Sequence, residues 1–157
     1  MRLTTKARFA VTAMIDIALY NNGRPVTLTQ ISQRQKISVA YLEQIFCKLR
    51  RAQLVRSMRG PGGGYHLMYP AEEISVRSII DAVEEDIDAR QCRGDGSCQG
   101  DAACLTHHLW EGLNEVTTKY LDGVTLASLI KDHEAEHGPI SIPAVIPVKK
   151  RRSVLIH

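Results

Sequence analysis

The chain has 157 residues, 44% hydrophobic and 24% charged, with a mean hydropathy of -0.15, a composition expected of one soluble globular domain and unlike collagen-like, wholly disordered or membrane-embedded chains. The net charge of +3 hides an asymmetry: residues 1–69 carry eleven Lys and Arg against Asp16 and Glu43 alone, a balance of +9, whereas residues 70–140 balance to −10 and residues 141–157 to +4. A basic first half on a nearly neutral chain points to a polyanion partner, since clustered Lys and Arg release the counterions condensed on nucleic acid.

Arg2, Lys6 and Arg8 ahead of an apolar stretch superficially resemble a secretory leader, but Asp16 interrupts that stretch and Val11, Met14, Ile15 and Ala18 recur at helical spacing. The spacing predicts a first helix over about 5–20, ending near Asn22-Gly23. No apolar run approaches the ~18 residues of a membrane span, and a cytoplasmic protein is expected. Thr27 followed by Gln30 has the form of a capping box and opens a short second helix, with Leu28, Ile31 and Ile37 as its apolar contacts. Ser38 can cap a third helix whose Leu42, Ile45, Phe46 and Leu49 follow i, i+3, i+4, i+7. Two helices joined by a tight turn, the second basic at its end, are the elements of a helix-turn-helix.

In the next stretch, β-capable residues flank Arg59-Gly60-Pro61-Gly62-Gly63-Gly64, which predicts a hairpin with strands near 54–58 and 65–69. A hairpin directly after a helix-turn-helix makes a wing. The glycine run lacks the Lys-Ser/Thr of a nucleotide-binding loop. Ser75 then caps a fourth helix with Val76, Ile79, Ile80 and Val83 inward, and a loop is expected from about Asp86 to Ala103. Leu105, Leu109, Leu113, Val116 and Tyr120 give a long amphipathic helix stopping at Gly123, with a small helix opened by Thr125. That long helix either pairs two subunits or packs on its own domain. Pro139, Pro143 and Pro147 precede a basic end. The expected fold is mainly α: a winged helix-turn-helix with a small β-hairpin wing and a long C-terminal helix. Its parts are a DNA-binding region over 1–83, a cysteine-bearing loop over 84–104, the two last helices over 105–132 and a disordered basic tail over 133–157.

Projection of the third helix leaves Ala40, Glu43, Gln44, Cys47, Lys48 and Arg51 facing outward, with Tyr41 at the border. Gln44 can pair with an adenine edge, and Glu43 can accept from a cytosine amine or repel a phosphate. Tyr41, Lys48, Arg50 and Arg51 can hold phosphates, and Arg59 at the wing can enter a minor groove.

Cys92, Cys98, Cys104 and His107, spaced x5, x5 and x2, form the most specific pattern in the chain. Clustered thiols in a cytosolic chain point to metal binding or redox chemistry. Cys104 and His107 are i, i+3 and can share one side of the long helix, but His108 at i+4 is almost as well placed, and spacing does not choose between them. Zinc usually takes CxxC knuckles, absent here, although a Cys3His zinc site and a Cys3His iron-sulfur cluster are both chemically admissible. Cys47 receives no ligand role.

MRLTTKARFAVTAM, ISVAYLEQIFCKLR, VRSMRGPGGGY and the cysteine-histidine cluster together closely resemble the IscR family of iron-sulfur cluster regulators, over residues 1 to about 130. The resemblance implies a homodimeric winged-helix transcription factor, not an enzyme, whose long helix pairs the subunits and which carries a [2Fe-2S] cluster on Cys92, Cys98, Cys104 and His107. It also implies DNA contacts from Ser38, Tyr41, Glu43, Gln44 and Arg59; Ala40 stands where the family pattern has a serine. Its implied partners are double-stranded promoter DNA, a second copy of the chain and a cluster donor from the assembly machinery, with no membrane. The implied behaviour is feedback: the loaded regulator represses cluster-assembly genes, and the cluster-free form retains a second class of sites. A nitric oxide or redox sensor of the same fold and a zinc-stabilised DNA-binding protein are the alternatives. A small electron-transfer protein would leave the +9 half unexplained.

Overall fold

The computed structural model of the chain describes residues 4–83 and 104–140. Their elements run α1 (Thr5–Tyr20), α2 (Leu28–Gln35), α3 (Val39–Arg51), β1 (Val55–Met58), β2 (Gly64–Leu67), α4 (Val76–Val83), α5 (His107–Gly123) and α6 (Leu126–His137). Side-chain caps set the helix starts as the sequence predicts. The Thr27 and Gln30 side chains exchange hydrogen bonds with each other's backbone N–H in a full capping box, and Ser38 Oγ accepts from the Tyr41 N–H. Ser75 and Thr125 do the same for α4 and α6.

Phe46, Leu42, Ile45 and Leu49 of α3 are fully buried, together with Met14, Ile17, Ile31, Ile79 and Leu126. The core therefore lies where α1, α3, α4 and the start of α6 meet. The inner face of α1 differs from the expected one. It is made of Ala7, Ala10, Ala13, Met14 and Ile17, while Val11, Ile15 and Ala18 are half-buried flanks. The small alanines leave room for neighbouring helices to approach, which a count of large apolar residues does not register. Asp16 also lies on the buried side, with no exposed surface, because α2 supplies it with partners. Arg34 Nε donates to Oδ2 at 2.9 Å and Gln35 Nε2 donates to the same oxygen at 2.8 Å.

The hairpin is antiparallel, with Val55 opposite Leu67 and Met58 opposite Gly64. Its second strand begins and ends earlier than the expected 65–69, because Gly64 pairs with Met58 while Met68 turns back to bond Leu54. Backbone bonds between Val26 and Tyr65 at 2.9 and 2.8 Å tie the hairpin to the segment ahead of α2. Gly64 is required for that approach: a Cβ there would lie 2.6 Å from the Val26 carbonyl oxygen, at φ +152. A Cβ on Gly63 would collide with the Met58 carbonyl oxygen.

The start of α4 is tied to the end of α5 by the Val76 N–H to Val124 carbonyl bond of 2.8 Å and by Arg77 donating to Thr118 Oγ1 at 2.6 Å. Helix α6 runs to His137, past the boundary expected at Asp132, since the first residue that opposes a helix is Gly138 with φ +81. Among the described residues no helix is long and apolar enough to cross a membrane.

Candidate nucleic-acid interface and cluster ligands

Helix α3 turns its apolar stripe into the core, so Glu43, Gln44, Arg50 and Arg51 are left exposed on its other faces. Ser38 sits at the helix start, its hydroxyl oxygen accepting the Tyr41 N–H at 3.3 Å. Tyr41 is half-buried, its ring meeting Phe9 of α1 edge-on at 5.7 Å, which holds the phenol at the border of the exposed face. Arg59 is exposed at the wing turn, immediately before Gly60 with φ +95. Phe46 of α3 packs on Tyr65 of β2 with ring centroids 4.7 Å apart, so the wing and α3 share one rigid support.

Lys48 is placed otherwise than its position on the outward face suggests. Its ammonium donates to the Val83 carbonyl at 3.1 Å. A cation at the C-terminal end of a helix satisfies a carbonyl that has no partner within the helix and opposes the helix dipole. The lysine thus joins α3 to the last residue of α4. Helical projection showed that Lys48 points off the apolar stripe, but it carries no information on which neighbouring helix end lies within reach.

Two of the four proposed cluster ligands, Cys92 and Cys98, lie outside the described residues, as does most of the 84–104 loop. Cys104 and His107 are described, and they are brought together by a turn rather than by the helix itself. Helix α5 begins at His107, and the His107 N–H bonds the Cys104 carbonyl at 3.0 Å. Cys104 is half-buried, with Sγ 3.6 Å from Thr106 Oγ1, and His107 is only 9% exposed. His108 instead points to solvent, its side chain 94% exposed beside Glu111. Cys104 and His107 thus present a thiol and an imidazole one turn apart, donor types that a zinc or iron-sulfur site takes, while His108 stands in solvent. Among the described residues no group of three or more His, Cys, Asp or Glu side chains converges on one point.

Along α5, Leu109, Leu113, Val116 and Tyr120 are 62%, 42%, 68% and 70% exposed. Their i, i+4, i+7, i+11 spacing is that of a paired-helix seam, and large apolar side chains left open in one line mark an interaction face.

Comparison with known proteins places these features in a family. Residues 3–132 match the Rrf2 model, described as an iron-dependent transcriptional regulator. The chain is 53% identical to the HTH-type transcriptional regulator IscR of Vibrio cholerae, covering 85% of this chain and 78% of the relative. It is 47% identical to IscR of Cronobacter sakazakii, covering 96% and 99%. Among solved structures, IscR of T. potens superposes with a TM-score of 0.72 at 36% identity, covering 87% of this chain and 91% of that one. CymR of B. subtilis, titled the global cysteine regulator, superposes at 0.73 with 31% identity, covering 84% and 98%.

Proposed function

Because the chain belongs to the Rrf2 family of iron-dependent transcriptional regulators, we propose that it senses iron-sulfur cluster status through a [2Fe-2S] cluster and, when loaded, represses the genes of cluster assembly. The observation that carries this reading is a half-buried Cys104 one turn ahead of a sheltered His107; with Cys92 and Cys98 the two would make a Cys3His donor set. Relatives named IscR support it. The likeness to a cysteine regulator indicates that the fold alone does not dictate the signal, so the donor set must.

Cys92, Cys98, Cys104 and His107 would hold the cluster, with His107 raising its potential relative to an all-thiolate site. When bound, the cluster supplies a centre that oxidants and iron shortage remove. The protein's own part is to place those ligands beside a DNA-reading body. Two copies pair along Leu109, Leu113, Val116 and Tyr120, setting two α3 helices for two operator half-sites. Gln44 and Glu43 read base edges, Ser38, Tyr41 and Arg51 position the helix on phosphates, and Arg59 reaches the groove beside the wing. Glu43 discriminates between site classes, because a carboxylate with no donor opposite it repels phosphate. Ligation at Cys104 and His107 shifts α3 and changes what Glu43 meets.

Anaerobic purification tests the cofactor directly. The expected result is a coloured protein with about two iron and two sulfide per chain, and His107→Ala retaining less of both. A colourless protein with one zinc per chain overturns the reading in favour of a zinc-stabilised DNA-binding protein. Visible absorbance unchanged between the wild type and Cys104→Ala overturns the ligand set.

A further inference from the structure

Two histidines on the last helix serve neither the DNA-reading surface nor the cluster donor set, and they lie beyond residues 3–132 matched by the family model. His133 and His137 stand one turn apart on α6, both exposed. Their rings are stacked, with centroids 4.6 Å apart and planes within 20° of parallel. Nδ1 of His137 lies 3.3 Å from the His133 carbonyl oxygen. With Nδ1–H donating to that oxygen, the His137 Nε2 lone pair is left for another ligand, and a backbone carbonyl fixes the tautomer and direction of the ring. The Glu136 carboxylate, 3.9 Å from the same Nδ1, adds negative charge beside it. The run His133-Glu134-Ala135-Glu136-His137 has the H-E-x-x-H spacing in which two imidazoles on one helix face share a zinc ion. Five residues matching a short pattern would carry little on their own; ring centroids 4.6 Å apart on one helix face, with His137 Nε2 left available, put both imidazoles within reach of one ion after rotation about their side-chain bonds.

We propose that His133 and His137 form a two-imidazole site for a borderline divalent transition ion, Zn2+, Ni2+ or Cu2+, with water completing its coordination. Imidazole donors suit these ions, whereas Mg2+ and Ca2+ take oxygen ligands. No group of three or more metal-ligating side chains occurs among the described residues, and both histidines are on open surface. The site therefore binds an ion and has no enclosed place to activate water on a substrate. The two imidazoles share one face only while residues 133–137 are helical, so a bound ion holds the last turn of α6. The first turn of that helix is already fixed by the buried Leu126.

The untagged full-length chain, applied to an immobilised Ni2+ column beside His133→Gln, His137→Gln and the double variant, tests this. The cysteine-bearing segment is common to all four proteins, so any difference belongs to these two side chains. The second imidazole acts as an intramolecular ligand, and the wild type should elute at about tenfold higher imidazole than the double variant, with each single variant near the double. Added Zn2+ should slow amide exchange over residues 133–137 in the wild type and in none of the variants. Co-elution of all four proteins, single variants retained as strongly as the wild type, or Zn2+ leaving that exchange unchanged in the wild type overturns the proposal.

Discussion

Replacing Arg34 by alanine should be among the most damaging single changes outside the apolar core, and the structure sets its size. Asp16 has no exposed surface and is held by Arg34 Nε at 2.9 Å, by the second guanidinium nitrogen and by Gln35 Nε2 at 2.8 Å. Without Arg34, a fully buried carboxylate keeps one neutral donor, and an uncompensated buried charge costs about 3–5 kcal/mol. Asp16→Asn should cost less, about 1.5–3 kcal/mol for the lost charge-assisted bonds. In that variant the guanidinium, whose side chain is 25% exposed, can hydrate while resting on the Tyr20 ring at 3.9 Å. Asp16→Leu with Arg34→Met removes both charges and should recover most of the loss. The hydrogen bond to Asp16 holds the Arg34 guanidinium above its ordinary value. A raised pKa in a cation gives stability that is complete below the unfolded value, so this contribution is constant across the neutral range and lost only in strong alkali. Urea unfolding followed by fluorescence and circular dichroism measures these differences. An Arg34→Ala loss below about 1 kcal/mol, or a larger loss for Asp16→Asn, would show that Arg34 does not compensate a buried Asp16 charge.

Four further variants have outcomes set by the same residues. Arg59→Ala, at the exposed wing turn, should weaken operator binding by about 1–2 kcal/mol without changing the urea midpoint. Arg51→Gln should lower the slope of log affinity against log salt by about 0.9 per site. Lys48→Met should leave that slope unchanged and instead cost about 1 kcal/mol of folding stability, because its ammonium is bonded to Val83; equal slope changes for the two variants would count against the placement of Lys48. Val116→Glu, at a position 68% exposed in the single chain, should weaken subunit pairing at least about a hundredfold, as a carboxylate would be buried unpaired. Sedimentation equilibrium reads this directly, and an unchanged dimer would remove α5 as the pairing helix.

Much of the fold is legible in the sequence because its signals are local. Thr27 with Gln30, Ser38 ahead of the Leu42 stripe, and three glycines in a row each specify their own element through capping or turn chemistry. What is not legible depends on contacts between distant residues. Asp16 reads as a break in an apolar run until Arg34 and Gln35, eighteen and nineteen residues on, are known to reach it. Lys48 reads as a point on the outward face of α3, and its 3.1 Å bond to the Val83 carbonyl depends on a residue 35 positions on. Spacing leaves His107 and His108 undecided at i+3 and i+4, and what it does not show is that the first is buried and the second stands in solvent. The His133 and His137 pair is not legible in the sequence because Pro139 and the prolines after it point to a helix that has already ended.

In the proposed mechanism, cluster occupancy changes what the winged helix binds. A promoter fragment of cluster-assembly genes, titrated at one fixed salt concentration with anaerobically prepared, cluster-loaded protein and with the same protein after cluster removal, tests it most directly. The account predicts tighter binding by the loaded form, about tenfold or more, corresponding to a coupling of about 1.4 kcal/mol. It also predicts that Glu43→Ala narrows the gap by strengthening the cluster-free form. Equal affinities for loaded and cluster-free protein would contradict it.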